Sequence, residues 1–295
     1  MDAVEKPKRS NLSRVRIGLI TAVVFFSAAM LGGWFWSALV LVSLYLGNRE
    51  LKNLLGNIGV KPSQSIIYGT AICMVIAASL DQAKFLSPIL TVSVIACFFG
   101  LLFRSPRAHV GDIGGTLLVI VYMVYLPVHF ILLRHLGNLP GMAYGAQPGL
   151  HYLLMTLAVI SASDIGAYYA GRAFGRHPLY PEISPKKTRE GAVAGLFAGV
   201  AFGAACGWIW NIPMNHAVVL SLLLVVVGQL GDLTESMMKR DVGMKDSGQL
   251  LASHGGFLDR ADSYIFSGVV CYYYIYWIVL RQGLATDILR WLHQS

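Results

Sequence analysis

The chain has 295 residues, of which 56% are hydrophobic and only 13% are charged, with a formal net charge of +8. Soluble domains carry about 25% charged residues, so this composition excludes a soluble enzyme, a disordered chain and a small disulfide-stapled domain. The apolar residues come in long blocks, and about 20 apolar residues in a helix cross the hydrocarbon layer of a membrane. We therefore expect a polytopic membrane protein.

The apolar blocks predict an all-α fold of about nine transmembrane helices, because lipid leaves no backbone polar group unpaired. Eight spans are the alternative, if the first two blocks form a re-entrant hairpin around Gly32 and Gly33. The basic N-terminal stretch has no clear cleavage site, so we interpret the first block as a span and not as a signal peptide. The predicted spans are residues 17–32, 34–48, 65–80, 85–103, 112–134, 149–171, 190–209, 215–238 and 263–280.

The positions of the basic residues predict the orientation of these spans. With the N-terminus in the cytoplasm, nine alternating spans place 19 of the 23 Lys and Arg residues on the cytoplasmic side. Because positively charged loops stay on that side, the basic excess indicates membrane topology rather than nucleic-acid binding. The four cysteines lie inside apolar blocks without paired spacing, and we interpret them as small buried side chains.

Polar residues divide the chain into three parts. Residues 1–150 are predicted to form N-terminal scaffold helices, since their charges fall only at the ends of apolar blocks. Residues 151–282 are predicted to form a catalytic transmembrane region, with acids against the apolar blocks and two charged cytoplasmic loops. Residues 283–295 are predicted to form a short tail, with an interfacial helix at 284–293.

The first candidate site residue is an acid within the block at 149–171. A charged group at membrane depth is costly, so it needs a partner or a function. Asp164, Tyr168 and Arg172 follow at helical spacing and share one face. For Asp164 alone, an internal pair with Arg172 that only stabilises the helix end is an equally good interpretation.

A loop at 183–191 is rich in hydrogen-bond donors. Lys187 and the hydroxyl groups of Ser184 and Thr188 could surround a phosphate group, and a helix that begins near Glu190 would add free N–H groups. The alternative is an ordinary positively charged cytoplasmic loop. The hydroxyl residues that frame the basic ones favour an anion site modestly.

The densest cluster of charged residues is the segment 231–262, which joins the last two spans. Asp232, Glu235 and Lys239 line one helical face, and Asp259 and Asp262 lie three apart on the next helix. Carboxylates from the two helices can therefore meet at the membrane surface. Mg²⁺ suits such a place, because it takes one or two carboxylates with waters and phosphate oxygens. We predict that this ion assists in-line displacement at phosphorus.

The spacing within this segment resembles a known family signature. The residues Ser236-x-Met238-Lys239-Arg240-x4-Lys245-Asp246-x-Gly248-x2-Leu251-x2-His254-Gly255-Gly256-Phe257-x-Asp259-Arg260-x-Asp262 are similar to the signature of phosphatidate cytidylyltransferases (CDP-diacylglycerol synthases). The resemblance covers residues 160–265. It departs from the family pattern at Ala252, where Pro or Gly is usual, and at Ala261, where a larger apolar residue or Thr is usual. Shorter matches are Gly231-Asp232-x2-Glu235-Ser236, Asp164-x2-Ala167-Tyr168-x2-Gly171-Arg172-x-Phe174-Gly175 and Ser184-Pro185-x-Lys187-Thr188-x-Glu190-Gly191.

The resemblance implies an enzyme that transfers the cytidylyl group of CTP to phosphatidic acid, giving CDP-diacylglycerol and pyrophosphate. It implies Mg²⁺, with a second cation left open. The first predicted ligands are Asp232 and Asp259, one from each flanking helix; Asp246 comes next, and Glu235 and Asp262 are further predicted ligands. The residues expected to act on the reacting phosphates are Lys239, Arg240, Lys245, Asp246, His254 and Arg260. The residues expected to bind substrate are Asp164, Ser184, Lys187, Thr188, Ser236, Gly255 and Gly256.

The expected partners are CTP, phosphatidic acid and membrane lipids, with no nucleic acid. A homodimer is left open. The expected location is the inner membrane of a bacterial cell, with the active site facing the cytoplasm. Three alternatives stay open: a related CTP-dependent transferase with an isoprenoid acceptor or kinase chemistry, an ion-coupled transporter, and a scaffold that keeps the motif without catalysis. A transporter is the poorer fit, because it predicts charges near mid-span and two related halves.

Overall fold

A computed structural model describes residues 11–103, 107–137, 147–244, 247–248 and 256–280. Three short helical turns supplement the α-helices. A 3₁₀ turn at Ala83–Phe85 precedes the fourth α-helix. A π-helical turn at Ile120–Tyr125 joins the fifth α-helix to the sixth, and another at Ile275–Val279 extends the tenth. The α-helices within the described ranges are Asn11–Leu31 (α1), Gly33–Gly56 (α2), Gln64–Ser79 (α3), Leu86–Leu102 (α4), Val110–Val119 (α5), Leu126–His135 (α6), Pro148–Phe174 (α7), Arg189–Ile209 (α8), Met214–Asp241 (α9) and Leu258–Tyr274 (α10).

Each of the predicted spans coincides with helical structure, and α5 and α6 form one continuous helix through the π-helical turn between them. Two further apolar stretches, Ile20–Leu31 within α1 and Gln64–Ser79 (α3), are shorter than a full span. The helical membrane class is therefore confirmed, whereas the number of spans stays a prediction. In the described part of the chain, the helices long and apolar enough to cross a membrane are Ala83–Leu102, Val110–His135, Pro148–Phe174, Arg189–Ile209 and Met214–Asp241.

Large apolar side chains cover the outside of the helix bundle as well as its centre. Phe103 and Trp208 are 84% and 78% exposed, whereas Trp36, Met123 and Tyr152 are buried. A helix that is apolar on every side is typical of a membrane span, because its outer face contacts lipid. Hydrophobic side chains therefore form both the core and the lipid-facing surface.

Between α7 and α8, where the sequence predicts a cytoplasmic loop, the chain forms a small antiparallel hairpin. Its strands are Pro178–Tyr180 (β1) and Ser184–Thr188 (β2). Prolines in this stretch fix φ and restrict the residues that precede them to extended conformations. The stretch at 183–191, predicted as a loop, is therefore mostly a strand that leads into α8.

The base of this hairpin is fixed by the first turn of α8. The Glu190 carboxylate accepts hydrogen bonds from the backbone N–H groups of Arg176 (3.2 Å) and His177 (3.3 Å). The Thr188 hydroxyl accepts the N–H of Gly191 (3.1 Å) and so caps α8. The helix predicted to begin near Glu190 is thus confirmed, and the hairpin is held close to its N-terminus.

Helices α7 and α8 pack with little side-chain volume between them. A Cβ atom at Gly195 would lie 2.8 Å from the carbonyl oxygen of Ser163 and 3.0 Å from the Cβ of Ala167. Small residues let membrane helices approach this closely. The packing brings the end of α7 that carries Asp164 against the start of α8. The buried glycines of α8, one on each fourth residue, are Gly191, Gly195, Gly199, Gly203 and Gly207.

Candidate active site

The C-terminal parts of α7 and α9, the hairpin and the first turn of α10 meet at one end of the helix bundle. The Nζ of Lys187, on β2, lies 2.6 Å from Oδ1 of Asp232 on α9. Asp164 on α7 interacts electrostatically with both of these residues and with Arg260. Four elements therefore contribute charged side chains to one site. Of the two interpretations of Asp164, the structure favours the site, since its interacting partners come from other elements.

Two carboxylates from neighbouring helices interact electrostatically at this site. The charge of Asp262 on α10 interacts with that of Asp232 on α9, and Asp262 also accepts the N–H of Ser263 (2.7 Å). Asp262 is buried, whereas 32% of the Asp232 side chain is exposed. Adjacent carboxylates repel each other unless a proton or a cation lies between them. This donor set therefore fits a hard divalent cation, which takes oxygen ligands.

A second ionic cluster lies about one helical turn further along α9. The Lys239 ammonium contacts the fully buried Glu235 carboxylate and lies 2.6 Å from Oδ1 of Asp259. Asp259 lies in the first turn of α10, ahead of its apolar part, and also accepts the N–H groups of Gly256 (2.8 Å) and Ser247 (3.2 Å). Burial raises the pKa of Asp259, but the hydrogen bond from Lys239 and those from the backbone outweigh burial and hold this pKa below its ordinary value.

The predicted meeting of carboxylates from α9 and α10 occurs, but with a different pairing from the one expected. Asp232 interacts electrostatically with Asp262, whereas both oxygens of Asp259 already accept donors. Among the described residues, no three His, Cys, Asp or Glu side chains form a metal-ligand cluster. A cation at this site would therefore complete its coordination with water and substrate oxygens, as Mg²⁺ commonly does. Metal ligation stays a prediction.

Other predicted site residues have structural partners. The Arg240 guanidinium donates to the carbonyl oxygens of Ile183 (3.1 Å) and Met244 (3.2 Å), which ties the end of α9 to the hairpin. Ser236 is buried on α9, and Ser184 begins β2. The backbone of Gly256 binds Asp259, as described above. The predicted site residues Lys245, Asp246, His254 and Gly255, together with the interfacial helix at 284–293, lie outside the described residues.

One residue at this end of the bundle is not among those predicted from the sequence. Glu50 of α2 is 2% exposed, and its carboxylate accepts the N–H groups of Phe257 and Leu258, both at 2.8 Å. In sequence, an acid beside Arg49 at the end of an apolar block looks like an ordinary charged helix end. Helical spacing is the sequence signal that could have identified Glu50 as a buried residue, since it shares one helical face with the buried Gly47 and Leu54.

The fold and the site together define a helical membrane protein with a cluster of acids and cations at the ends of its helices. The model of the Cytidylyltransferase family matches residues 12–278. The chain therefore belongs to the cytidylyltransferase family, and the resemblance stated from the motifs is confirmed.

Three relatives named phosphatidate cytidylyltransferase align with most of the chain. A Synechocystis protein is 36% identical over 282 residues, which cover 89% of this chain and 95% of the relative. A chloroplastic protein of Arabidopsis thaliana is 32% identical over 296 residues, which cover 93% of this chain and 74% of the relative. A Staphylococcus haemolyticus protein is 32% identical over 260 residues, which cover 86% of this chain and 94% of the relative.

Proposed function

We propose that this protein transfers the cytidylyl group of CTP to phosphatidic acid, giving CDP-diacylglycerol and pyrophosphate. Family membership and the names of its relatives support this assignment. The observation that carries it in the structure is the ion pair between Lys187 and Asp232, which joins the hairpin to α9 beside Asp164, Asp262 and Arg260. Cations and carboxylates together suit a reaction between two phosphate groups.

The chemistry needs little acid or base assistance. A phosphatidic acid headgroup is a phosphate monoester, and its oxygen is already a nucleophile near neutral pH. This oxygen attacks the α-phosphorus of CTP, a new P–O bond forms, and the bond to the bridging oxygen of the β-phosphate breaks as pyrophosphate leaves. Catalysis then consists of holding two polyanions in line and neutralising their charge.

The residues of the site divide this work. Lys187 and Arg260 lie among the carboxylates and neutralise substrate phosphates. Mg²⁺, when bound, neutralises the triphosphate and makes pyrophosphate a better leaving group. Asp232 and Asp262 would hold this ion, and Asp259 on the same turn of α10 is the further ligand that the sequence predicts. Lys239 is held by the carboxylates of Glu235 and Asp259 and keeps α9 and α10 in register.

The charged end of the bundle faces the cytoplasm in this proposal, because CTP is a water-soluble polyanion of that compartment. Lys and Arg residues concentrate on the same side when the N-terminus is cytoplasmic and nine spans alternate. The membrane that we propose is the inner membrane of a bacterial cell, and two of the relatives are bacterial. The surrounding bilayer supplies the lipid substrate through the apolar surface of the bundle, and the homodimer stays a prediction.

A labelled-nucleotide assay on detergent-purified protein tests this function. With phosphatidic acid and Mg²⁺, label from the α-phosphate of CTP is expected to enter the lipid phase, and label from the γ-phosphate is expected to stay in water. Lipid labelled from the γ-phosphate would indicate a kinase instead. Transfer to an isoprenoid phosphate but not to phosphatidic acid would overturn the acceptor assignment.

A further inference from the structure

The N-terminal half of the chain contributes a buried carboxylate to the neighbourhood of the site. Glu50 accepts the backbone N–H groups of Phe257 and Leu258, both at 2.8 Å, and the hydroxyl of Ser247 at 3.2 Å. The helix that donates these N–H groups begins about 207 residues later in the chain. An ionised carboxylate is costly to bury, so three donors on one buried side chain indicate a built arrangement.

These hydrogen bonds cap α10 from outside its own sequence. The N-terminal residues of a helix leave N–H groups without intrahelical acceptors, and a nearby negative charge stabilises that end. Phe257, at the N-cap position of α10, provides no side-chain cap. Glu50 replaces that missing cap. The position of the first turn of α10 therefore depends on α2.

The same carboxylate acts with Asp259 to hold both ends of the segment between residues 247 and 256. Ser247 donates its hydroxyl to Glu50 and its N–H to Asp259. Gly256 donates its N–H to Asp259. A Cβ atom at Gly248 would lie 2.8 Å from a Glu50 carboxylate oxygen, so the backbone packs directly on this side chain. The backbone on either side of the motif residues is thus fixed by two carboxylates.

We infer that Glu50 is a positioning residue for cytidylyl transfer: it fixes the start of α10, so that Asp259 and Asp262 face Lys239 and Asp232. This inference rests on the proposed function. Within the described ranges Glu50 forms no ion pair, so it acts through hydrogen bonds to α10. Its hydrogen bonds in the described part of the chain are to Ser247, Phe257 and Leu258, none of which we assign to the reaction. Glu50 acts by holding the backbone from which Asp259 and Asp262 extend.

The variant Glu50→Gln tests the inference. Glutamine has only one carbonyl oxygen, so its NH₂ group would face one of the two backbone N–H groups of Phe257 and Leu258, which would then have no acceptor. We expect kcat to fall about 10- to 100-fold, since misplacement of a reacting group by ~1 Å can cost about 100-fold in rate. The Mg²⁺ concentration for half-maximal activity should rise, because the carboxylates of α10 move relative to Asp232. Glu182→Gln, at an exposed glutamate of the hairpin, is the matched control and should stay within twofold of wild type.

A purely structural role would lower the unfolding temperature but leave kcat and the Mg²⁺ dependence unchanged in the folded protein. Both constants are therefore measured well below the unfolding temperature, and equal values for Glu50→Gln and wild type would overturn the inference. If Glu50→Gln does not fold, Ser247→Ala removes one donor to Glu50 and should show a smaller change in both constants; no change would overturn it too. A wild-type protein that forms no lipid-linked cytidine would instead refute the proposed function.

Discussion

The ammonium group of Lys239 lies 2.6 Å from the carboxylate of Asp259, and it also contacts the fully buried carboxylate of Glu235 one turn back on its own helix. The end of α9 is thereby tied to the first turn of α10. A buried ion pair contributes little net stability, but removal of one partner leaves a buried charge without compensation.

Replacement of Lys239 by Met should therefore destabilise the protein by about 3–5 kcal/mol. Thermal unfolding in detergent should show a clear fall in Tm, whereas Lys52→Met, at an exposed lysine of α2, should leave Tm unchanged. Adding Glu235→Gln to Lys239→Met should recover part of the lost stability without restoring turnover. Equal Tm values for wild type and Lys239→Met would show that the ion cluster is not structural.

Asp232→Asn should nearly abolish turnover while the protein still folds, because the amide keeps the shape of the side chain but removes its charge. We expect kcat to fall about 100- to 1,000-fold, the range for loss of one electrostatic group at a reacting centre. Asp241→Asn changes an exposed carboxylate at the end of the same helix and should retain normal activity. Transfer of label from CTP to lipid measures both, and near-normal turnover by Asp232→Asn would refute its assignment.

The two adjacent lysines of β2 offer a second matched pair. Lys187 is bound to Asp232, whereas Lys186 is exposed. Lys187→Met should lower kcat/KM for CTP about 10- to 100-fold, because a hydrogen bond to a charged group is worth ~1.5–3 kcal/mol. Lys186→Met should change it less than twofold. Equal losses in the two variants would mean that the hairpin acts only as a general positive surface.

The close approach of α7 and α8 predicts an effect of packing on stability. Gly195→Ala would place a methyl group 2.8 Å from the carbonyl oxygen of Ser163, and overpacking of this kind costs about 1–3 kcal/mol. Its Tm in detergent should fall. Gly69→Ala, on α3 where a Cβ atom meets nothing within 4 Å, should leave Tm unchanged or slightly raised. A fall of the same size in both variants would point to backbone effects instead of packing.

The helices could be predicted from the sequence because lipid imposes one rule on every span, and apolar blocks therefore map directly onto helices. The hairpin between α7 and α8 could not be predicted. Its strands are short, they contain prolines, and their sequence shows no alternation of apolar and polar residues. The glycine series of α8 was open to prediction, because Gly191, Gly195 and Gly199 recur at helical spacing. That spacing marks a close helix contact.

The candidate site was predictable in composition but not in pairing. Motif spacing identifies Asp232, Asp259 and Asp262. Only the positions of α9 and α10 decide that Asp262 interacts with Asp232 while Asp259 is bound by Lys239. Glu50 is the site residue that is hardest to predict from the sequence, because the groups that donate hydrogen bonds to it lie about 200 residues away in the chain. Local patterns carry no information about a cap that one helix provides to another.

Binding of Mn²⁺ as a substitute for Mg²⁺, followed by electron paramagnetic resonance on the purified protein without nucleotide, tests most directly whether acids of α9 and α10 hold a common cation. Wild type and Asp241→Asn should bind Mn²⁺ that Mg²⁺ displaces, and Asp232→Asn should lose this binding. Equal binding by wild type and Asp232→Asn, or no bound Mn²⁺ in wild type at millimolar concentrations, would contradict a shared cation at Asp232 and Asp262.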